Sequence, residues 1–258
     1  MKLAITGASG FIGRRLEGQP VSTRGAIVLP PCDAVVHLAG EPVAQRWTGA
    51  AKERIRTSRV DGTRRLVDAM RANPPKTLVS ASAVGYYGSR GDEILTESSQ
   101  PGDDFLAKLA IEWEREALRA KEFGVRVVIL RIGIVLGPGG ALAKMLPIFK
   151  LGLGGPIAGG RHWMPWIQID DLVRLIHFAL ANEVRGPLNA TAPNPVTNAE
   201  FTRGLARFVH RPAIFPVPKV ALKILYGEMA QILWASQRAI PEAALAAGFR
   251  FDVRDLTF

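Results

Sequence analysis

Ala4-Ile5-Thr6-Gly7-Ala8-Ser9-Gly10-Phe11-Ile12-Gly13 decides the fold of this chain. A short apolar strand, Leu3 to Ile5, runs into Gly7, Gly10 and Gly13, and Phe11 and Ile12 begin an apolar helix start. G-x-x-G-x-x-G in that setting is a tight strand-to-helix turn, whose backbone N–H groups face a pyrophosphate. Gly7 and Gly10 let the backbone turn and approach a ligand where a Cβ would intervene. Gly13 lets the helix pack close to the sheet. Three spaced glycines also occur in ordinary turns. The strand directly before them tips the reading toward nucleotide binding.

Outward from this turn, strands and helices alternate, which is the pattern of a doubly wound parallel α/β sheet. Asp33–Leu38 reads as a buried strand ending at Ala39-Gly40. Thr48 is placed to cap a long helix reaching about Arg71, stopped by Pro74-Pro75. Thr77–Ala81 is the next strand, and Asp103 or Asp104 caps a helix to about Glu122, closed by Gly124. Val125–Leu130 is another strand. Asp170 is placed to cap a helix over 171–181, and Thr197-Asn198-Ala199-Glu200 is a capping box before a helix ending near His210. Pro241 suits a first helical position and Gly248 a C-terminal cap.

From about Pro138 the alternation loosens, and Gly152–Trp166, rich in Gly, Pro and Trp, suggests loops lining a cleft. The expected division is a dinucleotide-binding domain over 1–137 and a small, mostly helical substrate-side lobe over 138–258. Residues from about 167 to 192 are expected to return to the first domain. The stretch 14–32 does not fit the usual plan. A βαβ crossover alone takes a dozen or more residues, and 19 residues separate Gly13 from Asp33. They hold at best a stub helix, Phe11–Leu16, and one strand, Val21–Arg24 or Ala26–Leu29. Either this region is abbreviated or an internal segment is missing.

With 258 residues the chain suits one large domain or one domain with a small lobe. Its one cysteine, Cys32, excludes an internal disulfide framework and any multi-cysteine metal site. It fits a reducing, cytoplasmic setting. No run reaches transmembrane length, so no membrane partner is expected. The net charge of +10 favours anionic partners. The Lys and Arg residues are scattered through helices, often beside Glu, with no basic run interleaved with aromatics. That favours a phosphate-bearing cofactor over nucleic acid.

Two more strand ends carry chemistry. Ligands on open α/β sheets bind beyond the carboxyl ends of strands. At Leu38-Ala39-Gly40 small residues admit an adenosine or ribose, while His37 faces the core. At Ser80-Ala81-Ser82-Ala83-Val84-Gly85-Tyr86-Tyr87-Gly88 the hydroxyls can orient a substrate oxygen or exchange a proton with it. The bland alternative is a turn packed by two tyrosines.

With these segments in view, the chain resembles the atypical extended short-chain dehydrogenases/reductases. In particular it resembles bacterial epimerase-family oxidoreductases that end in a domain of unknown function. The resemblance rests on ITGASGFIG (5–13), HLAGEPVAQRWT (37–48), SASAVGYYG (80–88), LTESSQPGDDFLAKLAIEWE (95–114), the long match over 130–176, and GEMA and AGFRF near the C-terminus. It covers nearly the whole chain except 14–32.

The resemblance implies a Rossmann-type fold and NADP as the cofactor, with NAD less favoured. Gly7, Gly10, Phe11, Ile12 and Gly13 then fall on the pyrophosphate fingerprint, and Leu38, Ala39, Gly40 and Glu41 line the adenosine-ribose side. Arg24 stands where an arginine meets a 2′-phosphate, and Arg131 borders the nicotinamide pocket. Arg161, His162 and Trp163 are substrate-side groups. Ser82 falls on the serine position of the family, with Tyr87 and Lys108 as expected catalytic partners; the proton relay falls to Tyr86 or Tyr87, to an acid such as Glu97 or Asp104, or to no group. Here the chain departs from the superfamily: the usual Tyr-x-x-x-Lys is absent, because Phe105 lacks a hydroxyl and Lys108 sits at another offset. Two functions follow. One is an oxidoreductase or epimerase acting on a small molecule, as a monomer or homodimer. The alternative, favoured by the missing Tyr-x-x-x-Lys, is an NADP-binding regulatory protein with little activity, with cell division as one setting the resemblance implies.

Overall fold

In a computed structural model that describes residues 1–258, strands β1 (Leu3–Thr6), β2 (Gln19–Val21) and β3 (Ala34–His37) open the chain. Helix α1 (Gly49–Met70), strands β4 (Thr77–Ala83) and β5 (Ile94–Leu95), and helix α2 (Phe105–Leu118) follow. Next come β6 (Arg126–Ile132), β7 (Ile134–Leu136), α3 (Gly140–Lys150), β8 (Trp163–Met164) and β9 (Trp166–Gln168). The remainder is α4 (Ile169–Ala181), β10 (Gly186–Ala190), β11 (Val196–Thr197), α5 (Asn198–Phe208), α6 (Lys219–Tyr226), β12 (Arg238–Ala239) and α7 (Glu242–Ala246).

Six strands form one parallel sheet in the order β10-β6-β4-β3-β1-β2. Strands covered on both faces read as continuous apolar runs, and β1 and β3 are buried at every position. On one face, Leu66, Val67 and Met70 of α1 and Ala117 of α2 pack on Ala4, Val35 and Leu78. On the other, Leu172, Leu175 and Ile176 of α4 pack on Ile5, Val36 and Val128, joined by Phe249 and Phe251 from the C-terminus. A smaller core around Leu136, Phe149, Trp166 and Phe201 supports the second half of the chain.

The helices start where the capping residues stand. Thr48 accepts the Ala51 N–H at 3.1 Å, Asp104 accepts the Ala107 N–H at 2.9 Å, and Thr197 and Glu200 close a reciprocal capping box. The expected cap of α4 shifts. Gln168 holds the cap position, and Asp170 and Asp171 sit in the first helical turn. Two negative charges there complement the helix dipole.

The region 14–32 holds little regular structure. The expected stub helix is a single 3-10 turn, Gly13–Arg15. The expected strand lies earlier, at β2, which is the sheet edge. Pro20 is tolerated there because an edge strand can spare an N–H. The chain leaves β1 for that edge and then returns past β1 to β3. This reversal is the switch point at which open α/β sheets bind ligands.

Candidate functional site

Three turns meet at the carboxyl ends of β1, β3 and β4. The first is the glycine turn. Gly7 has φ +71°, which a side chain rarely adopts, and a Cβ there would lie 2.8 Å from the Leu38 carbonyl carbon. A Cβ on Gly13 would lie 2.2 Å from the Gly7 oxygen. Gly10 is less constrained, at 3.1 Å from the same oxygen. So Gly7 and Gly13 are fixed by the fold of the turn itself, and Gly10 is the glycine that leaves room outside it. The N–H groups of Phe11, Ile12 and Gly13 donate to no other backbone group. The Phe11 ring packs toward Gly137, Gly139 and Gly140, and Ile12 packs on the main core. Their side chains are therefore engaged by protein, and it is their backbone that faces outward.

The second turn, Leu38 to Glu41, is held from below. Thr6 Oγ1 accepts the Leu38 and Ala39 N–H groups at 3.2 and 3.3 Å and contacts His37 Nδ1. With its lone pairs so used, the Thr6 hydroxyl donates to Nδ1, which leaves Nε2 to donate to Thr63 Oγ1 at 2.7 Å. Burial, then the charge of Arg59, push the His37 pKa down to about 4, so the ring stays neutral. His37 is wholly buried, as its place on the strand predicts. Arg59 hydrogen-bonds the Glu41 carbonyl at 2.9 Å, and its guanidinium lies against Gly40 and over the Trp113 ring. It forms no ion pair with a carboxylate, and burial lowers its pKa to about 10.

The third turn is closed by a buried network. Ser82 Oγ donates to Glu114 Oε1 at 2.6 Å. Arg131 grips both oxygens of Glu114 at 2.9 Å. Its remaining nitrogen donates to the Tyr87 hydroxyl at 3.0 Å and to the Glu97 carbonyl. Tyr87 in turn donates to Asn189 Oδ1 at 2.7 Å. Burial pushes the Tyr87 pKa up to about 12, against the pull of Arg131. Burial alone would lower the Arg131 pKa, but the hydrogen bonds and charge of Glu114 outweigh it and raise it.

This arrangement bears on three expectations. Tyr87 is fully buried with its hydroxyl spoken for, because it faces the β6–β10 side of the sheet. Arg131 is the cation of a buried ion pair, and four of its five N–H donors are engaged within the protein. Lys108 stands exposed on α2, without a hydrogen bond or ion pair from its ammonium, because the buried face of that helix is formed by Ala107, Leu109 and Ala110. Arg24 is exposed three residues past the edge strand β2, and only its backbone is bonded. Tyr86 is the freer of the two tyrosines. It is half-buried, its hydroxyl has no partner, and Arg131 lies 3.5 Å from its ring centre.

Glu114, Asn189, Thr6 and Arg59 escaped the sequence reading. Glu114 had a signal: with Ala107, Ala110 and Ala117 it repeats at helical spacing on an apolar face, where a carboxylate must be paired. Further out, Arg161, His162, Lys219 and Trp234 line a cavity of about 270 Å³ with Asp92. Burial, then Lys219, lower the His162 pKa to about 4.

A parallel sheet with helices on both faces and a glycine turn at its switch point defines a Rossmann-type protein. The chain belongs to the NAD dependent epimerase/dehydratase family, whose model matches residues 21–191, and residues 217–257 match a domain of unknown function, DUF1731. Over 292 aligned residues it is 40% identical to the chloroplastic epimerase family protein SDR39U1 homolog of Arabidopsis thaliana, covering 98% of this chain and 84% of that protein. It is 38% identical to epimerase family protein YfhF of Bacillus subtilis, covering 100% and 96%. That alignment spans 294 positions against 258 residues here, so YfhF carries at least 36 residues that this chain lacks. The crystal structure of human epimerase family protein SDR39U1 with NADPH superposes with a TM-score of 0.89 at 32% identity, covering 99% of this chain and 96% of that one.

Proposed function

We propose that this protein binds NADP(H) across the switch point and acts as an oxidoreductase or epimerase on a small molecule. The reading is supported by family membership and by the human relative solved with NADPH. The observation that carries it is the glycine turn: three successive N–H groups without backbone partners stand beside Gly10, the one glycine of the motif with room outside it. Backbone donors so arranged suit a pyrophosphate.

Phe11, Ile12 and Gly13 hold the pyrophosphate through their N–H groups. Leu38 to Glu41 flank the adenosine ribose, and Arg24 and Arg59 are the cations available for phosphate. When bound, the nicotinamide supplies or accepts hydride. Because the Ser82 hydrogen goes to Glu114, Ser82 can only accept from a ligand, which suits a substrate hydroxyl rather than a carbonyl. Tyr86, with its free hydroxyl, replaces Tyr87 as the proton-exchanging group. His162 and Arg161 serve the substrate side.

A second reading, a cofactor-binding protein with little turnover, draws on one feature. The hydroxyls of Ser82 and Tyr87 are both bound inside a closed network. The test has two stages. NADPH fluorescence should change saturably on titration and should not in Gly10→Leu. No response to either dinucleotide sinks both readings. Turnover across a panel of alcohols, carbonyls and sugar nucleotides, lost in Tyr86→Phe, supports the enzyme. Binding without turnover supports the second reading.

A further inference from the structure

The stretch 203–225 carries cations that form no ion pair. Arg203 and Arg207 stand one turn apart on the same side of α5, and Arg211 follows three residues past its end. With His210 and Ile214 they border a concavity of about 640 Å³. No Asp or Glu occurs between Glu200 and Glu228, and Glu200 is bound to the cap of α5. Several arginines elsewhere are paired, such as Arg56 with Glu112, Arg64 and Arg119 with Glu116, and Arg174 with Asp171, while others such as Arg24 and Arg59 are not. Arg203, Arg207, Arg211, Lys219 and Lys223 form no ion pair. Like charges four residues apart on a helix repel, as Arg203 and Arg207 do on α5, and an anion meeting them relieves that repulsion.

The same stretch projects apolar side chains. Phe208, Ile214, Phe215, Val220, Ile224 and Leu225 are each more than half exposed. Helix α6 is attached through Leu222, its one buried residue. A second copy of this chain would set these cations against each other. A nucleic acid would supply phosphates but no apolar medium for Ile224 and Leu225.

We propose that this face docks on an anionic lipid bilayer. The arginines meet headgroup phosphates, and the projecting side chains enter the acyl boundary. Such docking needs no spanning segment, and no helix of the chain is long and apolar enough to cross a membrane. The expectation of no membrane partner rested on span length alone.

The test is co-sedimentation with vesicles of phosphatidylcholine alone or mixed with phosphatidylserine. The protein should sediment with the mixed vesicles only, and less so as salt rises. Arg207→Ala and Arg211→Ala should each weaken partitioning about fivefold. Ile224→Ser/Leu225→Ser should weaken it as well, with circular dichroism unchanged. Equal binding to both vesicle types, or to neither at low salt, overturns the proposal. Saturable binding of inorganic phosphate without sedimentation would mark a soluble-anion site and overturn it, as would tighter binding to duplex DNA than to the mixed vesicles.

Discussion

The turns after β1 and β4 are both strand ends on one sheet edge, yet they are built on opposite terms. The first is made of backbone: its shape is set by what a Cβ would strike, and its N–H groups remain open. The second is made of side chains, with Ser82, Glu114, Arg131, Tyr87 and Asn189 satisfying one another out of water. A turn of the first kind is poised for a ligand. A turn of the second kind is stable because it is finished, and little of it remains for chemistry.

The largest expected effect breaks the finished turn. Arg131→Ala strands the Glu114 carboxylate in the interior, and denaturant unfolding should show a loss of about 3–5 kcal/mol. If the loss is under about 1 kcal/mol, the network is not the anchor of this turn.

The joint between the turns, His37, gives the next effect. Its folded pKa of about 4 lies below the ordinary 6.5, so the unfolded chain binds the extra proton between those values. Stability is full above pH 6.5 and falls by about 3 kcal/mol as pH drops toward 4. His37→Gln should flatten that part of the stability–pH curve.

Substitution within the glycine turn separates shape from ligand. Gly13→Ala forces a Cβ onto the Gly7 oxygen and should destabilise by about 1–3 kcal/mol. Gly10→Ala should cost less in stability while weakening NADPH binding. Equal stability losses would mean that Gly10 serves the turn only. The tyrosines are the matching test on the other side. Tyr87→Phe removes a buried hydroxyl that joins Arg131 to Asn189, and a melt should register about 1–2 kcal/mol. Tyr86→Phe should leave the melt unchanged and affect only turnover. Lys108→Ala is expected to shift stability by less than about 0.5 kcal/mol, and lost turnover in that variant would restore it as a site residue.

Much of this contrast was legible in the residues. The glycine spacing, the apolar strands Asp33–Leu38 and Val125–Leu130, and the caps at Thr48, Asp104 and Thr197 all act locally, over a few residues. The structure reproduces them. What escaped is long-range. Asn189 meets Tyr87 across 102 positions, and Arg131 meets Tyr87 across 44. Nothing near Tyr86 and Tyr87 says which of the two turns inward. The missing helix after Gly13 was half legible: the residues were too few, but only the sheet order shows that β2 becomes the edge.

The Asn189 side chain also reads the last segment of the chain. Its amide donates to the Ile240 carbonyl, β12 lies along β5, and Glu97 accepts the Ala243 N–H. Residues 217–257 match a family model of their own, but they are not interchangeable cargo. A chimera that swaps this segment between relatives must also bring residues 94–97 and position 189 from the same donor. Grafted alone, the segment would meet a surface that no longer spells its backbone.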